Sequence, residues 1–159
     1  MKPDVAYDLS VRSTMPRMDT GDLRKRILFA LDAARKDSSD RRRLVDDAGK
    51  AYETFLANIA VPMIKQAASV LCAEKQRFVA DTPAGSVRLS SESSPQTFLE
   101  FELDTTGSQP HVIGRVSVTR GRQGLVVEER PIADKPIAEL EEDDVAKFLI
   151  AEIPKLVMK

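Results

Sequence analysis

The residues that could do chemistry in this 159-residue chain are few and widely spaced. Its single histidine, His111, follows Pro110. It could act as a general base only with an orienting carboxylate and a nucleophile beside it. No serine or cysteine lies in a recognisable nucleophile motif, so His111 reads as strand-end packing. The single cysteine, Cys72, falls beside an apolar helical stripe and reads as a buried, inert thiol. The acidic run from Glu141 to Asp144 suggests a divalent cation at first sight. Consecutive helical residues point around the circumference, so they do not converge on one ion. The positive end of a helix dipole accounts for them without a ligand. Gly121-Arg122-Gln123-Gly124 lies between two strands with no helix after it, which makes it a hairpin turn and not a phosphate loop. No catalytic residue, metal ligand or cofactor site is therefore expected.

The most suggestive charge feature is Arg41-Arg42-Arg43, preceded by Arg24, Lys25, Arg26, Arg35 and Lys36. Such a run could hold phosphates non-specifically, or face an acidic helix of the same or another subunit. A solvated helix surface is the plainest reading. Aspartates interleave the run, tryptophan is absent and aromatics make up only 5%, so nucleic acid ranks low as a partner.

Composition sets the outer bounds. Hydrophobic content of 42% and charged content of 31% suit a globular domain, and 159 residues are enough for one core. The net charge of -1 gives no global pull toward nucleic acid or an anionic membrane. No apolar run approaches the ~18 residues of a membrane span, and Met1-Lys2-Pro3-Asp4 lacks the apolar core of a signal peptide. One cysteine allows no internal disulfide, which places the protein in the cytoplasm by default.

The elements follow from periodicity. Val5, Tyr7, Leu9 and Val11 alternate with polar residues, an edge strand able to add to its own sheet or a neighbour's. Residues 1–18 therefore form an N-terminal arm, and 19–159 a single domain. Leu23, Ile27, Leu28, Leu31 and Ala34 make one helical stripe, with Asp22 in the first turn. Asp37-Ser38-Ser39-Asp40 would end that helix and cap the next, giving a helical hairpin. The second helix carries Leu44, Ala48, Tyr52, Phe55 and Ile59, then Met63, Ala67, Val70 and Leu71. Unbroken, its roughly 36 residues would be a rod of about 54 Å, against a domain diameter near 40 Å. A kink or break at Pro62 resolves the mismatch. Gly49 in its middle marks a close helix crossing.

From Phe78 the period becomes two. Strands follow around Phe78–Ala80, Val87–Ser91, Leu99–Leu103, Val112–Val118 and Leu125–Glu129, joined by short turns as an antiparallel meander. Arg88, Glu100, Glu102, Arg115 and Glu128 would alternate in sign on its outer face. A C-terminal helix opens at Glu141 with Val145, Phe148, Leu149, Ile153 and Leu156 inward. The expected fold is α+β, a two-layer sandwich of helical hairpin and C-terminal helix on one sheet face.

No motif is specific enough to name a family. The leading functional expectation is a non-enzymatic protein-interaction module, an adaptor, chaperone-like or inhibitory partner protein that self-associates as a homodimer. Val5, Tyr7, Leu9, Val11, Arg41, Arg42 and Arg43 are its candidate contacts. The alternative is a small apolar-ligand binder with Phe55, Met63, Phe98 and Phe101 around a pocket between sheet and helices. A weak nucleic-acid binder ranks third.

Overall fold

The computed structural model describes residues 17–158. The expected strand at Val5, Tyr7, Leu9 and Val11 lies outside them. The chain divides into two compact units, Met1–Arg41 and Arg42–Lys159. In the first, helix α1 (Thr20–Phe55) begins, and every described residue from 17 to 41 is exposed.

The helical hairpin expected at Asp37–Asp40 does not form. Helix α1 runs through these positions without a break. Serine and aspartate cost about 0.5 kcal/mol each relative to alanine inside a helix, whereas a stop needs glycine or proline. Neither occurs between Gly21 and Gly49. Asp32 and Arg35 add an i,i+3 pair at 3.5 Å. Gly49 marks no helix crossing either, since a Cβ added there would meet nothing within 4 Å.

The second unit holds the core. The rest of α1 leads into a π-helical turn, Leu56–Ala60, and then α2 (Val61–Ala73). The irregularity expected at Pro62 takes this form. The proline sits in the first turn of α2, where its missing N–H costs least, and the wide turn ahead of it accommodates the ring. Because the helix continues through Pro62, Thr20–Ala73 contains an 18-residue window of mean hydropathy 1.5. That corrects the expectation that no stretch approaches membrane-spanning length and apolarity. In this fold Phe55, Ala60, Ile64 and Leu71 of the same segment are core residues, and a helix that covers a sheet needs the same apolarity.

Five strands follow in the order β1 (Phe78–Asp81), β2 (Ser86–Ser91), β3 (Phe98–Asp104), β4 (His111–Arg120) and β5 (Gly124–Pro131). They form the expected antiparallel meander, each strand beside the next. The register lines up Val87, Phe101 and Gly114, and beside them Leu89, Leu99 and Val116. These make the apolar face. Helix α2 lies over β1 and β2, and α3 (Glu142–Val157) lies over β3 and β4. The architecture is α+β, with α2 and α3 packed against the sheet.

Helix α3 is seated by a glycine. A Cβ at Gly114 would lie 2.1 Å from Cζ of Phe148, so the ring fills the space where a side chain would be. Phe101 meets that ring edge-on at 5.5 Å, and the Arg130 guanidinium lies 4.3 Å from its centroid.

The other sheet face is charged. Arg88, Glu100, Arg115 and Glu129 stand opposite one another across four strands. Arg88 pairs with Glu100, and Arg115 with Glu102 and Glu129. Glu129 therefore occupies the place expected for Glu128. The β5 register puts Glu128 opposite Val116 on the helix-covered face, 3.5 Å from Lys155.

Candidate functional site

Two features outside the core could carry function. The first is a cleft of about 650 Å³ in the second unit. One wall is the α1 face of Leu44, Ala48 and Ala51, and the other is the segment Pro131–Ala138. Gln109, Pro110 and His111 close it. Prolines 131 and 136 hold that segment extended until a single 3-10 turn, Ile137–Glu139, which leaves a gap instead of another packed helix.

His111 sits at this cleft and opposite Asp104 in the β3–β4 register. Its Nδ1 is 3.1 Å from the Gln109 carbonyl and its Nε2 is 3.7 Å from Oδ2 of Asp104. The Thr106 hydroxyl and backbone N–H both donate to Asp104, at 2.6 and 2.9 Å. Those two bonds, the hydroxyl's first, hold the Asp104 carboxyl below its usual range, with His111 adding to the effect. Both imidazole nitrogens are thus turned toward protein groups. An orienting carboxylate is present, and no serine or cysteine hydrogen-bonds to the ring among the described residues. The arrangement braces a hairpin end and lines an apolar cleft.

The second feature is the first part of α1 together with Met18 just ahead of it. Met18, Leu23, Ile27, Leu28, Phe29 and Leu31 are all exposed, Phe29 to 77%. Leu23, Ile27 and Leu31 fall at i, i+4 and i+8 with Ala34 beyond, one face of a helix.

The candidate ligand residues do not converge. Phe55 and Phe101 are buried core, and Met63 is a partly buried residue against it. Phe98 lies on the opposite face of β3 from Phe101, under the Arg88 guanidinium at 4.1 Å. None of the four lines the cleft. Arg41, Arg42 and Arg43 are exposed on α1, with Asp40, Asp46 and Asp47 close in the same helix.

Other expectations are settled by local geometry. Cys72 is exposed, not buried, with its Sγ 3.4 Å from the Phe78 carbonyl. It follows the inward Leu71 by one residue, a rotation of about 100° that carries it out of the core. Glu141 caps α3, and its own N–H is met by Asp144 Oδ2 at 2.9 Å. That backbone bond is the main reason the Asp144 carboxyl titrates low, with Lys135 at 3.0 Å reinforcing it. The acidic run is thus a capping box. Gly121 and Gly124, both at positive φ, make the β4–β5 turn.

Sequence reasoning missed the cleft because its far wall reads only as a polar link between prolines. The Asp104–His111 pair was legible in principle, since those residues close the β3–β4 hairpin. No family model, curated protein or solved structure matches this chain. Function has to be argued from the geometry.

Proposed function

We propose that the protein is a non-enzymatic interaction module that binds another protein chain, a second copy included, through the N-terminal half of α1. One observation carries this reading. Every described residue from 17 to 41 is exposed, yet six of them are large and apolar. Isolated helices draw little stability from propensity alone and rely on a packed apolar face. An uncovered apolar face of this length is characteristic of an interaction surface.

The test is native mass spectrometry of the full chain, beside a variant carrying Leu23→Asp, Ile27→Asp and Leu31→Asp. The expected result is a defined oligomer or stoichiometric complex that the variant loses while its urea midpoint holds. An unchanged assembly in the variant would sink the reading.

The cleft beside His111 supports a second reading, a small apolar ligand held against Leu44, Ala48 and Ala51. It predicts a bound mass of a few hundred daltons that Ala48→Phe displaces. The absence of any such mass, together with no saturable binding of apolar dyes, would remove it.

A further inference from the structure

We propose that the cleft in the second unit takes a small molecule with an apolar body and a protonated amine, an assignment that rests on the apolar-ligand reading above. The cleft volume of about 650 Å³ lies within the ~300–1,000 Å³ of small-molecule sites. Helix α1 supplies the wall for the body. Leu44, Ala48 and Ala51 fall at i, i+4 and i+7 on one helix face, and the two alanine methyls leave room that longer side chains would fill. Pro110, Pro131 and Pro136 also line the cleft, and with no N–H they can offer a ligand no backbone donor.

The charges decide the head group. Asp47 on α1 and Asp134 on the facing segment both line the cleft. Neither carboxylate makes a hydrogen bond or ion pair with a described residue. Arg43 and Lys50, one turn either way from Asp47 along α1, line no part of the cleft. The Lys135 ammonium does line it, but its Nζ is held 3.0 Å from Asp144, with Glu141 and Asp143 close by. The His111 ring is turned to the Gln109 carbonyl and to Asp104. The unanswered charge is therefore negative. An acid entering the cleft would meet two carboxylates, whereas a cation is attracted by both. No Phe, Tyr or Trp lines the cleft, so a quaternary ammonium would find no ring face there. An amine with N–H bonds to give matches carboxylate acceptors directly.

Calorimetric titration of the full chain with phenylbutylamine, phenylbutanol and phenylbutyrate holds the body constant and changes only the head. The amine should bind tightest, the alcohol about three- to tenfold more weakly, and the acid weakest. Asp47→Asn and Asp134→Asn should each weaken the amine about two- to fivefold and leave the alcohol unchanged, which a purely structural role would not do. Ala138→Phe, at an exposed position of the lining, should close the cleft to all three while the urea midpoint holds. Alcohol or acid bound as tightly as the amine, or an amine indifferent to both aspartate substitutions, would overturn the cationic head group and leave the apolar-ligand reading standing. No binding by any probe, or binding that Ala138→Phe does not disturb, would overturn both.

Discussion

The ring of Phe148 occupies the space in which any residue but glycine at position 114 would place its Cβ, 2.1 Å from Cζ. The contact fixes how close α3 comes to β4. Gly114→Ala should therefore force the ring or the helix to move, at a cost of about 2 kcal/mol. The urea midpoint should fall with an unchanged slope. Phe148→Leu in the alanine background should recover part of the loss. An alanine variant as stable as the parent would mean that α3 is loosely seated.

Tyr52 ties α1 to the sheet. Its hydroxyl lies 2.7 Å from the Gly85 carbonyl and 3.3 Å from that of Phe101. Burial, then the nearby Glu102 and Glu100 carboxylates, push the phenol above its ordinary range. Tyr52→Phe should cost about 1–2 kcal/mol in equilibrium unfolding, by leaving a carbonyl without its donor. No loss would show that water replaces the hydroxyl.

Gly49 is a helical glycine with open space around it. Gly49→Ala should stabilise the protein by about 0.5–1 kcal/mol, since alanine loses less backbone entropy and is a better helix former. Calorimetry should show a melting temperature higher by roughly 2–4 °C. A fall would reveal a neighbour that needs the gap.

Stability should depend on pH at both ends. Burial alone would raise the Glu152 carboxyl, but hydrogen bonds from Lys155 and Arg130 more than offset it, so it titrates low. Asp144 and Asp104 are lowered as well. Groups depressed in the folded state bind fewer protons than in the unfolded chain. Their contribution is complete above a pH of about 5 and drains away as pH falls. Lys135, Lys155 and Tyr52 are raised, Lys155 chiefly by Glu152. What they contribute is present at neutral pH and is lost as pH climbs beyond about 10. Urea midpoints should be flat from about pH 6 to 9 and fall on either side. Glu152→Gln should flatten the acid limb, and Tyr52→Phe the alkaline one. Unaltered slopes would place the titrating groups elsewhere.

Much of the second unit was legible from local pattern. Val87, Leu89, Leu99, Phe101 and Val116 alternate with charged or hydroxyl-bearing neighbours, and a strand's period of two sends them to one face wherever the sheet lies. Short turns make such strands consecutive neighbours. The run from Glu141 to Asp144 could cap only a helix beginning there, and the Pro62 irregularity follows from a missing donor. Glu128 and Glu129 were interchanged because β5 exposes Leu125 and Val127 on its open edge, so its apolar residues give no clean alternation to set the face.

What tertiary structure decided are relations between residues distant in the chain. No local signal says that Phe148 fills the place of a Gly114 side chain, that Arg130 covers that ring, or that a cleft opens between Leu44 and Ile137. These depend on how far apart two packed elements come to rest, which the joint fit of many side chains sets. The same holds for α1. Its sequence determines an amphipathic helix, and the weak breakers at 37–40 lose to an unbroken backbone ladder. Whether its apolar face is covered is decided by contacts alone, and in this chain Leu23, Ile27 and Leu31 remain exposed.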